Sequence, residues 1–173
     1  MNTSIKYKED KLIKFLQALP APALAFSGGV DSALLLAACK EANVPVKVIT
    51  CSTPLVPAFE KEDTVRLAEE LDFEVNFLQL NPLELPEFCL NDSKRCYHCK
   101  KFLFTAMQEK AKNLGCTCLL DGANLDDLGD YRPGMQATKE LKVISPLLEC
   151  GFTKADVRAL AEKYKLSIAN KPA

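Results

Sequence analysis

The chain has 173 residues, 48% of them hydrophobic, which is enough for one sizeable core and too few for two comfortable domains, so one domain over 1–173 is expected. Its 22 basic and 23 acidic residues are interspersed and leave a net charge of -1, so no sequence-level basic field argues for RNA or DNA and no nucleic-acid partner is expected. Met1 to Lys8 lacks an apolar core of signal-peptide length and no stretch approaches the run of about 18 apolar residues that spans a membrane, which points to a cytoplasmic protein with no membrane partner. In that compartment the eight cysteines read as reduced thiols, not as a disulfide framework.

In chain order, Leu12, Ile13, Phe15, Leu16 and Leu19 keep helical spacing, and Pro20 to Pro22 end that helix. Ala23 to Phe26 is a short apolar run that predicts the first strand. It delivers the chain into Ser27-Gly28-Gly29-Val30-Asp31-Ser32, and a helical pattern begins near Asp31. A strand, a glycine turn and a helix N-terminus in that order make a phosphate cradle. Two adjacent glycines can take positive φ and carry no side chain, so backbone N–H groups can close around an anion at the positive end of the helix. Ser27 and Ser32 add hydroxyl donors. The loop lacks the lysine of a Walker A motif and the longer spacing of a G-x-G-x-x-G loop.

Leu34, Leu35, Ala38 and Cys39 give the next helix an apolar face, and Val46 to Cys51 is a β-branched run suited to a buried parallel strand that Ser52-Thr53-Pro54 closes. Pro57 opens a helix with Val65, Ala68 and Leu71 on its buried side, and Phe73 to Leu80 predicts a third strand. Asn81 to Arg95 reads as irregular. Cys99, Phe102, Leu103, Ala106, Met107, Ala111 and Leu114 trace one stripe of a long helix stopped by Gly115. Cys118 to Asp121 predicts a fourth strand, followed by Gly122 and a polar loop through Asn124, Asp126, Asp127, Asp130 and Arg132. Val143-Ile144 is a fifth strand candidate, and Thr153 with Asp156 has the capping-box pattern ahead of Val157, Leu160 and Ala161. The alternation implies an α/β fold, a doubly wound, mostly parallel five-stranded sheet with helices on both faces. Ligands of such sheets sit beyond the carboxyl ends of the strands, so the polar loop and the glycine loop are expected to share an edge.

Several residues carry more than one reading. Asp31 suits a metal or a metal-bound water, and also suits the first turn of any helix, where the dipole favours an acid. Arg132 fits a bidentate grip on phosphate or carboxylate, or an ion pair with Asp127 or Asp130. Cys96-x-x-Cys99 at a helix start fits a redox pair, half of a zinc site, part of an iron–sulfur site, or a structural pair; Cys89 is the nearest third thiol and His98, the only histidine, lies inside the pair. Of Cys116 and Cys118 at least one should be in the core. Lys100 and Lys101 read as a solvated helix face, with phosphate contact as the alternative.

Four separated stretches resemble one family: Ser27 to Ser32; Arg95-Cys96-Tyr97-His98-Cys99-Lys100; Asp121-Gly122-Ala123-Asn124 running on to Asp127, Asp130 and Tyr131-Arg132-Pro133-Gly134; and Ser145-Pro146-Leu147 leading to Lys154 and Val157-Arg158. Together they resemble the LarE family, sacrificial sulfur transferases of the PP-loop ATP pyrophosphatase superfamily that serve nickel-pincer cofactor biosynthesis. The resemblance implies a Rossmann-like, adenine nucleotide alpha hydrolase-like fold. It also implies a two-step reaction. ATP activates a carboxylate of a pyridinium dicarboxylate mononucleotide as an acyl-adenylate, and a cysteine thiolate then attacks, losing its own sulfur to leave a thiocarboxylate and a dehydroalanine.

On this reading ATP and Mg²⁺ are the cofactors, with zinc or an iron–sulfur cluster as a further candidate at Cys96 and Cys99. Ser27, Gly28, Gly29, Val30, Asp31, Ser32, Ser52, Gly122, Asp127 and Arg132 are expected at the nucleotide, with the end of the second strand along the adenine. Asp31 is expected to be catalytic and to attract Mg²⁺. Family members continue past a Lys-Pro pair that resembles Lys171-Pro172, with the donor cysteine just beyond it, so the donor and the family's C-terminal domain are expected to lie outside these 173 residues. A homo-oligomer is expected of the full-length protein. Two other readings stay open: a tRNA-thiolating PP-loop enzyme, against which the near-neutral charge counts, and a non-catalytic nucleotide-binding domain.

Overall fold

The computed structural model describes residues 3–90, 93–129 and 133–170. Helix α1, Thr3–Gln17, buries Leu12 and Leu16 as its spacing requires. Strand β1, Pro22–Ala25, feeds the glycine loop, and α2, Val30–Glu41, follows at once. Strand β2 is Lys47–Ser52, α3 is Ala58–Glu70 and β3 is Val75–Gln79. The Pro-containing stretch after β3 is more ordered than its sequence suggests, with a 3₁₀ turn at Pro82–Glu84 and a single turn of helix, α4, at Pro86–Cys89. The long helix α5, Arg95–Asn113, leads to β4, Cys118–Leu120. Beyond a 3₁₀ turn at Leu125–Leu128 lie α6, Pro133–Glu140, α7, Pro146–Glu149, and α8, Lys154–Lys163.

All paired strands are parallel, in the order β3-β2-β1-β4. Leu24 lies opposite Val48 on one side and Leu120 on the other, and because successive side chains alternate across a sheet these three share a face with Phe26. That face is covered by α1, α2, α3 and α8, through Leu16, Leu35, Leu67 and Leu160 among others. The opposite face, Ala23, Ala25, Ile49 and Leu119, packs against Met107 and Ala111 of α5. Helices on both faces are what the fold class requires. Full burial of each Leu or Phe stabilises by on the order of 2 kcal/mol, which is why the face holding Leu24, Phe26 and Leu120 anchors the domain.

Two expectations need correction. In place of a fifth strand, Val143-Ile144 makes one parallel bridge, in which Asp121 N donates to Ile144 O and Ile144 N to Leu119 O, both at 2.9 Å. Lys142, at φ 54°, turns the chain just before it, and Pro146, which has no N–H to donate, starts α7 just after it, so the described sheet has four strands. On α3 the buried stripe is Thr64, Leu67 and Ala68; Val65 and Leu71 are only half-buried. None of the described helices is long and apolar enough to cross a membrane.

Candidate functional site

The carboxyl end of β1 is clamped by β2. Phe26 N donates to Ile49 O at 2.9 Å and Thr50 Oγ1 donates to Phe26 O at 2.8 Å, so the residue before the glycine loop is held on both its polar groups. Gly28 then turns at φ 76°, a conformation L side chains resist, and a Cβ there would stand 2.5 Å from Thr64 Oγ1 of α3. Gly29 is different. It has φ -79° and serves as the N-cap of α2, so only one of the two glycines takes the positive φ open to both. Ser32 Oγ donates to Gly29 O at 3.0 Å and stands 3.2 Å from Ser27 Oγ, which accepts from Gly29 N at 3.3 Å. The two hydroxyls therefore brace the loop, and α2 has no side-chain cap across its positive end.

The second wall comes from β4, next to β1 at the point where the strand order reverses. This is where open α/β sheets form their ligand crevice. Asp121, 5% exposed, accepts from Ser145 Oγ at 2.6 Å and from Ala123 N at 3.2 Å through Oδ1, and its Oδ2 lies 4.0 Å from Lys100 Nζ. Gly122 passes so near α2 that a Cβ would stand 3.1 Å from that of Asp31. Buried Asn124 donates through Nδ2 to Asp31 Oδ1 at 3.0 Å, and Asp127 Oδ2 accepts from Asn124 N at 2.9 Å, closing a capping box on the 3₁₀ turn. Asp31 Oδ2 accepts from Lys154 Nζ, at the start of α8, where the expected capping box joins Thr153 and Asp156. The polar loop and the glycine loop do share an edge.

Three cavities meet around Ser27. One of about 550 Å³ is lined by Asp31, Ser32, Cys96, Lys100, Asp121, Gly122 and Asp127. A second, of about 400 Å³, runs along Gly28, Gly29, Val30, Thr64 and Lys154. The third, about 410 Å³, is a largely apolar slot between Thr50, Cys51 and Thr53 at the end of β2 and Leu103, Phe104 and Met107 of α5. Ser52 lines none of the three. Arg132 and Asp130 lie outside the described residues.

Cys96 and Cys99 line different cavities. Exposed Cys96 lines the polar cavity and half-buried Cys99 lines the apolar slot, and among the described residues no three His, Cys, Asp or Glu side chains form a group that could hold a metal. Cys116 and Cys118 are each partly buried and packed against a core cluster, and neither is fully buried. Burial pushes the Cys39 thiol up to about 12 and that of Cys51 up to about 11, with Cys99 beside Cys51 adding to the second. Lys101 is solvated, as read, and pairs with Glu140 at 2.9 Å, whereas Lys100 turns inward. The sequence reading gives Lys100 phosphate contact only as an alternative, and names Asp121, Asn124 and Lys154 only within the motif stretches and the polar loop. A lysine in the first turn of α8, against the helix dipole, was the available signal for the last of them.

The fold is that of an α/β domain of the kind found in NAD and NMN synthetases. The structure is similar to NMN synthetase from Francisella tularensis (TM-score 0.76, 16% identity, 99% of this chain and 76% of that one) and to NH3-dependent NAD synthetase from Campylobacter jejuni (TM-score 0.74, 20% identity, 96% and 77%). In sequence, the chain is 34% identical over 168 residues to the pyridinium-3,5-bisthiocarboxylic acid mononucleotide synthase of Lactiplantibacillus plantarum, covering 96% of this chain and 61% of that protein. It is 35% identical to an uncharacterized protein of Synechocystis sp., covering 98% and 63%. These similarities bear out the resemblance to the LarE family. The chain spans about 61–63% of the length of these curated relatives. No family model matches it.

Proposed function

We propose that this chain is the adenylating PP-loop domain of a LarE-type, ATP-dependent sulfur transferase that acts on a pyridinium dicarboxylate mononucleotide in the cytoplasm. The observation that carries the reading is the meeting of an uncapped α2 N-terminus, an apolar base slot and a polar cavity at one loop, in a chain 34% identical to a synthase of that product class.

The adenine lies in the slot beside Cys51 and Thr53, and the phosphates lie over Gly28 to Ser32, where the dipole of α2 and the loop N–H groups offset their charge. Asp31 and Asp127 supply the oxygen ligands that fit Mg²⁺, which takes one or two carboxylates and completes its shell with phosphate and water. Bound there with ATP, Mg²⁺ would neutralise charge on the triphosphate. The second nucleotide enters the polar cavity, where the Lys100 ammonium attracts its carboxylates and Asp121, fixed by Ser145, holds that lysine. A carboxylate oxygen forms a bond to the α-phosphorus, the bond from that phosphorus to the bridging oxygen breaks, and the electron pair leaves on pyrophosphate. The positive end of α2 stabilises the leaving charge. A donor thiolate then displaces AMP at the carbonyl, and removal of the donor's Cα proton expels the sulfur, giving thiocarboxylate and dehydroalanine.

Calorimetric titration with ATP, followed by pyrophosphate release on adding Mg²⁺ and the pyridinium dicarboxylate mononucleotide, tests the reading. ATP binding and substrate-dependent release are expected. A folded chain that binds no ATP overturns it.

A further inference from the structure

Among the described residues, Phe104 of α5 is the one aromatic side chain that lines the polar cavity. It lines the apolar slot as well, and with Ala25 and Ser27 it makes the wall that the two cavities share. The half-buried side chain packs against the cluster of Ala25, Met107 and Ala111, which fixes it and leaves part of its surface to the cavities. Lys100 stands one turn earlier on the same helix face, and its Nζ lies over the Phe104 ring, 5.3 Å from the centroid. That is within the roughly 6 Å over which the electron-rich face of an aromatic ring attracts a cation. The same ammonium is 4.0 Å from Asp121 Oδ2, at the limit of an ion pair, so neither the ring nor the carboxylate holds it tightly.

We propose that Phe104 sets the specificity of the polar cavity for a cationic ring: its face stacks on the pyridinium of the second nucleotide, while Lys100 leaves that face for a ring carboxylate. The inference rests on the substrate reading above. A pyridinium dicarboxylate carries its positive charge in the ring and its negative charges on the substituents, so it calls for an aromatic face against the ring and an ammonium at the rim. Phe104 and Lys100, one helical turn apart, present that pair. No covalent bond changes in the exchange. One cation replaces another over the Phe104 ring, and the ammonium gains a carboxylate, a stronger partner than the ring it leaves. A ring stacked on the shared wall also lies at the junction of the cavities around Ser27, beside the loop that receives the phosphates. An uncharged ring of the same shape forgoes the attraction and keeps only its carboxylate contacts.

The test measures binding of the pyridinium dicarboxylate mononucleotide and of its dihydropyridine form, which keeps both carboxylates and the phosphate on an uncharged ring. Calorimetry is run on the parent chain, Phe104→Leu and Phe104→Tyr, with thermal unfolding as the check on folding. Mg²⁺ and an ATP analogue with a methylene group between the α- and β-phosphorus are kept at saturation, so that no adenylation occurs. Comparing two ring forms within one variant cancels any effect of Phe104 on the slot. The parent should favour the pyridinium form. Phe104→Leu should weaken that form by roughly three- to thirtyfold, the range of a cation–π contact, and the dihydropyridine by less than about twofold. Phe104→Tyr, which keeps the ring, should keep the preference. A parent that binds both forms equally overturns the proposal. So does a Phe104→Leu chain whose pyridinium affinity is unchanged, or one that loses the same factor for both forms, which is the mark of packing alone. A parent that binds the ATP analogue but neither ring form overturns the substrate reading along with it.

Discussion

Gly122 and Ser32 approach so closely that a Cβ on Gly122 would stand 3.0 Å from the Ser32 backbone nitrogen. The contact joins the carboxyl end of β4 to the first turn of α2, and it holds the walls of the crevice at a fixed spacing without a side chain between them. The same contact brings Asn124 within hydrogen-bond reach of Asp31, so the glycine loop and the acid beside it are set by one close approach of two backbones.

Gly28 and Gly29 should respond differently to the same substitution. Gly28→Ala places a methyl group at φ 76° and against Thr64 Oγ1, which is itself fixed by its bond to Glu60 O; the strain is on the order of 1–3 kcal/mol, and either the fold or ATP affinity must absorb it. Gly29→Ala meets only Ser27 Oγ, at 3.5 Å, at an ordinary φ, and should shift stability by less than about 1 kcal/mol. Thermal unfolding and ATP calorimetry on the two variants measure the difference. Equal effects would mean that the loop does not need the turn at Gly28.

Asp31→Asn should keep ATP binding within a modest factor while suppressing substrate-dependent pyrophosphate release. The amide preserves the shape and can still meet Asn124, but it lacks the charge that attracts Mg²⁺. Release rates equal to those of the parent would remove Asp31 from the mechanism.

Much of this arrangement was legible in the sequence because it rests on local rules. Strand, glycine turn and helix at Ala23 to Asp31, the strand at Cys118 to Leu120, and the Thr153–Asp156 box each follow from residues adjacent in the chain. What sequence reasoning missed depends on tertiary placement. Lys100 and Lys101 are neighbours with opposite fates, one over a buried carboxylate and one in solvent, because the axis of α5 decides which of them faces the crevice. Helix α6 went unforeseen, although Pro133 suits the first position of a helix. Val143-Ile144 has strand-forming residues, but the bend at Lys142 and Pro146 limits it to one bridge.

Asp156→Ala should destabilise the chain by about 1 kcal/mol at neutral pH through loss of the N-cap partner. Burial works to raise the Asp156 carboxyl, yet the Lys8 ammonium at 2.6 Å and the hydroxyl and N–H of Thr153 outweigh it and hold its pKa below the usual value of 3.8. A depressed carboxylate contributes stability above its unfolded pKa and loses it as pH falls through the folded one, so the gap between parent and variant should narrow below about pH 4. Denaturant unfolding at pH 7 and pH 3 gives both values. A gap that stays constant would assign the effect to something other than the charge.

The last expectation concerns sulfur: none of the eight cysteines in this chain should act as the sacrificial donor. A donor must attack as the thiolate, and burial pushes Cys39 up to about 12 and Cys51 up to about 11, which disfavours the thiolate at both. Burial also raises Cys99, Cys116, Cys118 and Cys150, and Cys89 lines none of the three cavities that meet at Ser27. Cys96 alone reaches the polar cavity, beside Lys100 and Asp121, which makes it the one thiol placed to contradict the expectation. Loss of sulfur by β-elimination turns cysteine into dehydroalanine and lowers the chain mass by about 34 Da, the mass of H₂S. Intact-mass measurement after incubation with ATP, Mg²⁺ and the pyridinium dicarboxylate mononucleotide should find no such species. A loss of that size, mapped by peptide digestion to Cys96 or any other cysteine here, would make these 173 residues a complete sulfur transferase and sink the expectation.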